Sequence, residues 1–282
     1  MAMEQVSAPL VRRLLPRRDP MGHKGDFGRV YVYGGCVGYT GAPVYAGEAA
    51  VRTGSGLVHV GVPAEVYPIV AARCALSMAQ PVPARYGALL AQMERCDAAL
   101  IGPGLGRGAE TERTVCRLLA DLPCPVVLDA DGINAVSAHM DVLTGRRRMG
   151  RETVLTPHEG EFLRLGGDLA PGRETAAVAL ARRLGCTVVL KGPGTVTAAP
   201  DGRALGNPTG NCGMAKGGSG DVLAGMVLSL LGQGAAPFDA AVCAVWLHGR
   251  AGDLCAQALT EYAMAPADLI GYLPAVFKEL ED

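Results

Sequence analysis

Short apolar runs alternate with longer segments of helical periodicity along most of this chain. Runs rich in Val, Ile and Leu are short enough to be buried strands, and glycine or polar residues follow each of them. These runs predict strands within His23–Gly35, at Leu57–Val62, at the start of Asp97–Gly106, and at Pro125–Asp129, Thr153–Thr156 and Thr187–Lys191, followed by a strand–turn–strand unit over Lys191–Thr197 and Arg203–Leu205. The intervening segments predict a short N-terminal helix and further helices from Thr40, at Ala64–Cys74, at Glu110–Ala120, from Asp131, and at Arg173–Leu184, Phe238–Ala258 and Pro266–Leu280.

This alternation predicts an α/β fold with a mostly parallel central sheet and helices on both faces. Such sheets bind ligands beyond the carboxyl ends of their strands. The glycine-rich and polar clusters fall just after strands, so we expect them to converge on one edge. No repeat or linker interrupts the chain, and residues 1–282 are interpreted as one domain with a poorly constrained N-terminal segment at 1–20.

The segment 207–231 combines a loop and a helix. Its first half is rich in Gly, Asn and Pro, whereas apolar residues recur at helical spacing from Val222 to Leu231. At the junction, the amides of Gly217 to Gly220 are predicted to lack intrahelical partners and to suit a phosphate group. Asp221 stands there as the ionisable group, either as a proton acceptor or as a simple helix-start acid.

Composition narrows the class of ligand. The chain has 26 basic and 27 acidic residues, which gives no reason to expect a nucleic acid or an anionic membrane as partner. No apolar run is long enough to span a bilayer. The nine cysteines are scattered without a Cys-x-x-Cys pair, as expected for reduced core residues. We therefore expect a soluble cytoplasmic protein with a small-molecule ligand.

Two common nucleotide motifs are disfavoured. The loop around Lys216 lacks the spacing of a P-loop, and Gly102–Gly106 lacks that of a dinucleotide fingerprint. The segments together instead resemble the ADP- or ATP-dependent NAD(P)H-hydrate dehydratases, which have a ribokinase-like fold. The resemblance, closest to the bacterial ADP-dependent type, rests on Lys24–Gly28, Gly34–Gly35 with Tyr39–Pro43, Thr53–Val58, Gly102–Gly106, Leu128–Asn134, Leu155–Glu161, Leu190–Gly192 and Gly210–Asp221.

The resemblance implies repair of a damaged cofactor. The S epimer of hydrated NADH or NADPH is phosphorylated on its added hydroxyl group and then loses phosphate, while ADP becomes AMP or ATP becomes ADP. The expected co-reactants are ADP or ATP and Mg²⁺, although no metal ligand is assigned. In this chemistry Asp221 is the expected general base, and Gly218 and Gly220 are expected to stabilise the transferring phosphoryl group.

The resemblance also implies binding residues. Substrate contacts are carried onto Ala42, Gly104, His158 and Asp221. Nucleotide contacts are carried onto Lys191, Gly192, Pro193, Gly194, Thr195, Asn211, Lys216, Gly217, Gly218, Ser219 and Gly220.

Other charged residues have simpler interpretations. His158 on its own would be a structural helix-start residue, and only the resemblance favours a contact with substrate. Glu159 and Glu161 are either first-turn acids or ligands of magnesium-bound water. A structural role is preferred for Asp129 and Asp131, and the basic run Arg146–Arg148 is interpreted as a solvated turn in a surface loop.

Two rival functions stay open at this point. A small-molecule kinase of the same fold, acting on a vitamin precursor, would use the same loop and base, and a non-catalytic nucleotide-binding protein would keep the fold alone.

Because relatives often carry a fused epimerase that this chain has no room for, we expect a separate epimerase to work with it. The resemblance also implies a homo-oligomer, with a tetramer favoured, and the Ala/Gly-rich residues 42–50 are a candidate contact between copies.

Overall fold

The computed structural model describes residues 3–281 and contains one nine-stranded sheet. The strands are β1 (Arg29–Tyr33), β2 (Leu57–Val62), β3 (Met78–Pro81), β4 (Ala98–Ile101), β5 (Val126–Leu128), β6 (Thr153–Leu155), β7 (Thr187–Leu190), β8 (Val196–Ala198) and β9 (Ala204–Gly206). The helices are α1 (Ala8–Leu14), α2 (Gly41–Arg52), α3 (Tyr67–Ala71), α4 (Tyr86–Met93), α5 (Ala109–Asp121), α6 (Asp131–Val136), α7 (Asp141–Arg148), α8 (Glu159–Arg164), α9 (Arg173–Leu184), α10 (Ser219–Gly232), α11 (Pro237–Ala263) and α12 (Pro266–Glu281).

The sheet has the order β3-β2-β1-β4-β5-β6-β7-β8-β9. Strands β1 to β7 pair in parallel, and β8 and β9 continue the sheet as an antiparallel hairpin. The predicted mostly parallel sheet is therefore confirmed. Because β1 to β7 run in the same direction, the loops that follow them all emerge at one edge, which we call the carboxyl edge.

Side chains alternate between two apolar layers, one on each face of the sheet. In β1, Val30 and Val32 join the layer that contains residues of α2, α10, α11 and α12, whereas Tyr31 joins the layer that contains residues of α5 and α9. Strands β4 and β7 are buried along their whole length. Covering both faces explains why these strands are continuous apolar runs in the sequence.

Helices α2 and α10 approach each other closely. A Cβ atom at Gly225 of α10 would lie only 2.1 Å from the carbonyl oxygen of Ala46 in α2. Ala46, Ala49 and Ala50 are fully buried within the chain. These three alanines therefore pack within the chain, whereas Ala42, Tyr45 and Glu48 of the same helix are partly exposed.

The interpretation of Arg146–Arg148 as a solvated loop is wrong. The run lies in α7, and the side chain of Arg146 is 0% exposed, although Arg147 and Arg148 are exposed. Its guanidinium group donates five hydrogen bonds, to Thr153 Oγ1 and to the carbonyl oxygens of Leu119, Leu122, Cys124 and Glu152. Arg146 therefore joins the ends of α5, β5 and β6, a role that only the folded chain reveals.

The elements β3 and α4 were not predicted. The edge strand β3 is short, ends in proline and is only partly buried, so its sequence gives a weak strand pattern. In α11, Thr260 has non-helical backbone angles close to the C-terminal end. No helix within residues 3–281 is long and apolar enough to cross a membrane.

Candidate active site

The loops at the carboxyl edge bring several of the predicted site residues together. Asp129 follows β5, His158 and Glu161 lie beyond β6, and Lys191 follows β7. The start of α10 approaches the same place, because a Cβ atom at Gly220 would lie 3.4 Å from Lys191 Nζ and 3.9 Å from Asp129 Oδ2. Residues that are far apart in sequence thus form one charged centre around the N-terminus of α10.

The glycine loop before α10 has a backbone that suits an anion. Gly218 is the N-cap residue with a φ of 106°, which only glycine adopts readily, and a Cβ atom there would lie 3.0 Å from the ring of Tyr45. The amide of Ser219 donates to the carbonyl oxygen of Lys216 (3.2 Å), so it is less free than predicted. The amides of Gly217, Gly218 and Gly220 find no hydrogen-bond partner in the part of the chain that the structure describes. These three donors remain for a phosphoryl group.

Asp221 lies in the first turn of α10 and is partly buried. Burial, reinforced by the nearby Asp129 and opposed by Lys191, raises the pKa of its carboxyl group from 3.8 to about 7. Within residues 3–281 its carboxylate oxygens make no hydrogen bond or ion pair. A carboxyl group with this pKa can exchange a proton at neutral pH.

Asp129 and Lys191 form the ion pair beside it. Lys191 Nζ lies 2.7 Å from Asp129 Oδ1 and 4.0 Å from Glu161 Oε2, and Thr156 Oγ1 donates to Asp129 Oδ1 at 2.8 Å. Burial alone would lower the pKa of Lys191, but the carboxylates of Asp129, Glu161 and Asp221 together raise it. Lys191 therefore stays a cation at neutral pH and places a positive charge next to the phosphate-binding amides.

The start of α8 is held by a capping box. His158 Nδ1 accepts from the amides of Gly160 (3.0 Å) and Glu161 (3.4 Å), and Glu161 Oε2 accepts from the amide of His158 (2.9 Å). The imidazole is more than half exposed, whereas Glu161 is buried. His158 thus caps the helix with Nδ1, while its Nε2 lies 3.4 Å from Glu161 Oε1.

Arg173 of α9 ties this region to Lys191. Its guanidinium group donates to the carbonyl oxygens of Leu190 (3.0 Å) and Lys191 (2.9 Å) and pairs with Glu159. The carboxylate of Glu159 is therefore paired with the guanidinium group of Arg173. Arg173 was not predicted as a site residue, because its position at the start of an ordinary amphipathic helix gives no signal.

The predicted substrate residues Ala42 and Gly104 adjoin each other. Gly104 has a φ of 62°, and a Cβ atom there would lie 3.1 Å from Ala42 Cβ and 2.7 Å from the carbonyl oxygen of Tyr39. Gly35 donates to the carbonyl oxygen of Pro103 at 2.9 Å, which fixes the loops after β1 and β4 together. The two loops form one surface at the carboxyl edge, next to the loop after β5.

The predicted nucleotide residues fall into two groups. Residues 191–195 form a turn in which residues 192–194 are exposed and Thr195 Oγ1 donates to the carbonyl oxygen of Gly192 at 2.9 Å. The second group is anchored to α11: Asn211 Nδ2 donates to Asp253 Oδ1 (3.2 Å), and Lys216 Nζ donates to the carbonyl oxygens of Tyr262 (2.8 Å) and Met264. Lys216 thus holds its loop against the end of α11 and is not brought to Lys191.

Asp253 and Asp131 each fix a loop through its backbone. Asp253 was not predicted as a site residue, and the sequence left the role of Asp131 ambiguous. Asp253 accepts from the amide of Gly210 at 3.1 Å, which fixes the start of the glycine loop. Asp131 accepts from the amide of Gly106 (2.9 Å) and from Asn134 (3.1 Å), in agreement with the structural role preferred for it. Charge alone could not distinguish these acids from Asp129 and Asp221.

The centre as a whole can move a proton and stabilise a transferring anion. Asp221 supplies a carboxylate that titrates near neutral pH, Lys191 supplies a fixed cation, and the glycine loop supplies free amides. This combination suits phosphoryl transfer to or from a hydroxyl group.

Comparison with known proteins decides the family. A model of the NAD(P)H-hydrate dehydratase family matches residues 30–275, which include every element of the site just described. The chain belongs to the NAD(P)H-hydrate dehydratase family. The ADP-dependent (S)-NAD(P)H-hydrate dehydratase of Bacillus subtilis is 36% identical over 279 residues, which are 96% of each chain.

Longer relatives also match this member of the family. The bifunctional NAD(P)H-hydrate repair enzyme Nnr of Moorella thermoacetica is 42% identical over 290 residues, and the match covers 98% of this chain but 54% of that protein. The chain thus spans about half the length of the first curated relatives that it matches.

Solved structures agree with the fold. The ADP/ATP-dependent NAD(P)H-hydrate dehydratase of Bacillus subtilis, co-crystallised with ATP and Mg²⁺, superposes with a TM-score of 0.84 at 32% identity over 99% of both chains. A hydroxyethylthiazole kinase from Pyrococcus horikoshii is 17% identical with a TM-score of 0.65 and shares the fold alone. The predicted ribokinase-like architecture is confirmed by these neighbours.

Proposed function

We propose that this chain converts the S epimer of hydrated NADH or NADPH back to NADH or NADPH while ADP is hydrolysed to AMP and phosphate. Asp221 carries the proposal, because it is a carboxylate with a pKa near 7 placed beside free amides and a cation. Membership of the NAD(P)H-hydrate dehydratase family supports the choice of substrate. ATP, giving ADP, is the alternative phosphoryl donor.

The first step is phosphoryl transfer to the substrate hydroxyl group. Asp221 accepts the hydroxyl proton while the oxygen forms a bond to the terminal phosphorus of ADP, and the bond from that phosphorus to the bridging oxygen breaks to release AMP. The amides of Gly217, Gly218 and Gly220 stabilise the charge on the transferring group. Lys191, held by Asp129, adds a positive charge on the same side.

The second step is elimination. The bond between the ring carbon and the ester oxygen breaks and phosphate leaves with the bonding electrons. Water takes a proton from the adjacent ring carbon, and the electrons of that C–H bond restore the double bond of the dihydropyridine. Phosphate is a far better leaving group than hydroxide, which explains why the nucleotide is consumed. Ala42, Gly104 and His158 are proposed to contact the hydrated cofactor at the carboxyl edge.

Magnesium fits this centre as an ion held mainly by the nucleotide. Among residues 3–281 there is no group of three or more His, Cys, Asp or Glu side chains that could hold a metal by itself. Mg²⁺ at phosphoryl-transfer sites needs only one or two carboxylates besides phosphate oxygens and water, and Asp129 and Glu161 would be those carboxylates here. When bound, the ion supplies positive charge that offsets the charge on the phosphates.

Absorbance of the reduced nicotinamide tests the proposal. Purified protein is incubated with hydrated NADH and ADP or ATP, for wild type and for Asp221→Asn. We expect the variant to lose about 10²- to 10⁴-fold in kcat. Asp239→Asn is the matched control, since Asp239 is also a partly buried first-turn acid, in α11, and should keep full activity.

The product distinguishes this function from the kinase alternative. A kinase would leave a stable phosphate ester and no increase in absorbance. Equal rates for wild type and Asp221→Asn would contradict the assigned base, whereas AMP release without recovery of NADH would contradict the dehydration.

The epimer and the partners are further parts of the proposal. We expect only the S epimer to react directly, so that the R epimer is consumed no faster than an epimerase activity supplies it. The assembly is proposed to be a homotetramer, which sedimentation of the purified protein would test.

A further inference from the structure

A second concave site lies at the opposite edge of the sheet, where the parallel strands begin. It is a groove of about 460 Å³ at the amino ends of β1, β2 and β3, a size within the usual range for small-molecule sites. Its polar lining consists of Lys24, Arg29, His59, Gln80, Gln92 and Arg95. We call this groove the amino-edge groove. About 13 Å of strand, at 3.3 Å per residue, separates Arg29 from the carboxyl end of β1.

The groove concentrates positive charge. Lys24, Arg29 and Arg95 line it, whereas no acidic residue does, although the whole chain has a net charge of -1. Within the described range 3–281, none of these three cations has an acidic oxygen within 4 Å. The nearby acid Asp97 accepts instead from the backbone amide of Arg29, at 2.7 Å. Three neighbouring cations without counter-charges favour the binding of an anion.

The wall of the groove offers neutral hydrogen-bonding groups. Tyr31 is fully buried, donates to Gln92 Oε1 at 3.0 Å and stacks on His59 with ring centroids 6.4 Å apart. The Gln92 carbonyl is thereby engaged, while its amide protons remain available as donors. Burial and the charge of Arg29 lower the pKa of His59, which favours the neutral imidazole. Leu57, Met78 and Ala91 add apolar surface.

We propose that the amino-edge groove binds a small phosphorylated metabolite, with Arg29, Arg95 and Lys24 on the phosphate groups and the apolar residues on the organic part. Arginine presents parallel N–H donors that match two phosphate oxygens, and lysine adds a point charge. Only three cations line a concave space of limited volume, so an extended nucleic acid does not fit it. The site is separate from the catalytic centre and does not depend on the proposed reaction.

Calorimetric titration with inorganic pyrophosphate, at about physiological salt, tests the groove. Wild type is compared with Lys24→Gln/Arg29→Gln/Arg95→Gln, which leaves the catalytic edge untouched. The control is Arg12→Gln/Arg13→Gln/Arg17→Gln, which removes the same charge from three exposed cations of the N-terminal segment. We expect the groove variant to lose one binding event, or to weaken it at least about tenfold, and the control to match wild type.

A conservative pair keeps the test decisive if the triple variant fails to fold. Arg29→Lys/Arg95→Lys retains the charge but removes the paired donors, so binding should weaken by several-fold. Citrate serves as a polyanion without phosphate, and we expect it to bind more weakly than pyrophosphate. Isotherms that are unchanged in both groove variants, an equal loss in the control, or tighter binding of citrate would each overturn the proposal.

Discussion

Arg146 and Asp221 are two ionisable groups that differ in how completely they are paired. Arg146 is fully buried, and its five hydrogen bonds use its whole guanidinium group. Asp221 is partly buried beside another carboxylate, and no described residue hydrogen-bonds to its side chain. A charge whose bonding groups are all engaged within the chain stabilises the fold, whereas a charge without a partner is available for chemistry.

The largest effect on stability should come from Arg146. Replacing it by alanine leaves carbonyl oxygens of Leu119, Leu122, Cys124 and Glu152 without their donor and opens a cavity. We expect Arg146→Ala to lower the free energy of unfolding by about 4 kcal/mol or more. Arg148→Ala, in the same run but exposed, should stay within about 0.5 kcal/mol of wild type. Denaturant titration measures both, and equal effects would contradict the structural role of Arg146.

Neutralising Asp221 should have the opposite effect on stability and raise the free energy of unfolding. Because its pKa is about 7 when folded and 3.8 as the reference value, the folded protein retains a proton that the unfolded chain releases. Its contribution to stability therefore falls as the pH rises from about 4 to about 7. We expect Asp221→Asn to be more stable than wild type by about 1–3 kcal/mol at pH 8, allowing for partial exposure, and by much less at pH 4.

Thermal and denaturant unfolding at the two pH values check this expectation. Asp239→Asn provides the comparison and should not reproduce the gain in stability of Asp221→Asn at pH 8. A loss of stability in Asp221→Asn at pH 8 would show that the carboxylate is paired after all.

The pH profile of activity should depend on the neighbours of Asp221. A base must be deprotonated, so kcat/KM should rise through an apparent pKa near 7 and level off above it. Since Lys191 lowers and Asp129 raises the pKa of Asp221, Lys191→Met should move the rise to higher pH and Asp129→Asn to lower pH, each by up to about one unit. Shifts in the same direction for both variants would contradict this electrostatic assignment.

The smallest effect is expected at His158, a more than half-exposed side chain whose Nδ1 caps α8 and whose Nε2 lies 3.4 Å from Glu161 Oε1. Removal of a helix cap costs about 1 kcal/mol, so His158→Ala should lose about that much, whereas His158→Asn, which can also cap, should lose little. His139→Ala, at an exposed position, is the control for stability. If His158 also contacts substrate, both variants should raise KM. An asparagine variant with normal KM would leave His158 as a cap alone.

The comparison also shows which parts of the site could be predicted. Periodicity located the strands that deliver Asp129, His158 and Lys191, and the change from glycine loop to apolar helix located Asp221. The prediction of a solvated turn at Arg146 was wrong, because an arginine between glycines has the same local pattern whether it is solvated or buried. Arg173 and Asp253 were missed for the same reason, since their partners are carbonyl and amide groups of distant loops.

The sequence by itself determined the class of fold, the edge at which the site forms and, through the resemblance, the family. These depend on local periodicity and short motifs, which neighbouring residues encode. Only the tertiary structure decided that Asp129 pairs with Lys191, that Lys216 turns to the end of α11, and that three cations meet in the amino-edge groove. Pairing, burial and pKa depend on groups brought together across the sheet, and no local pattern specifies them.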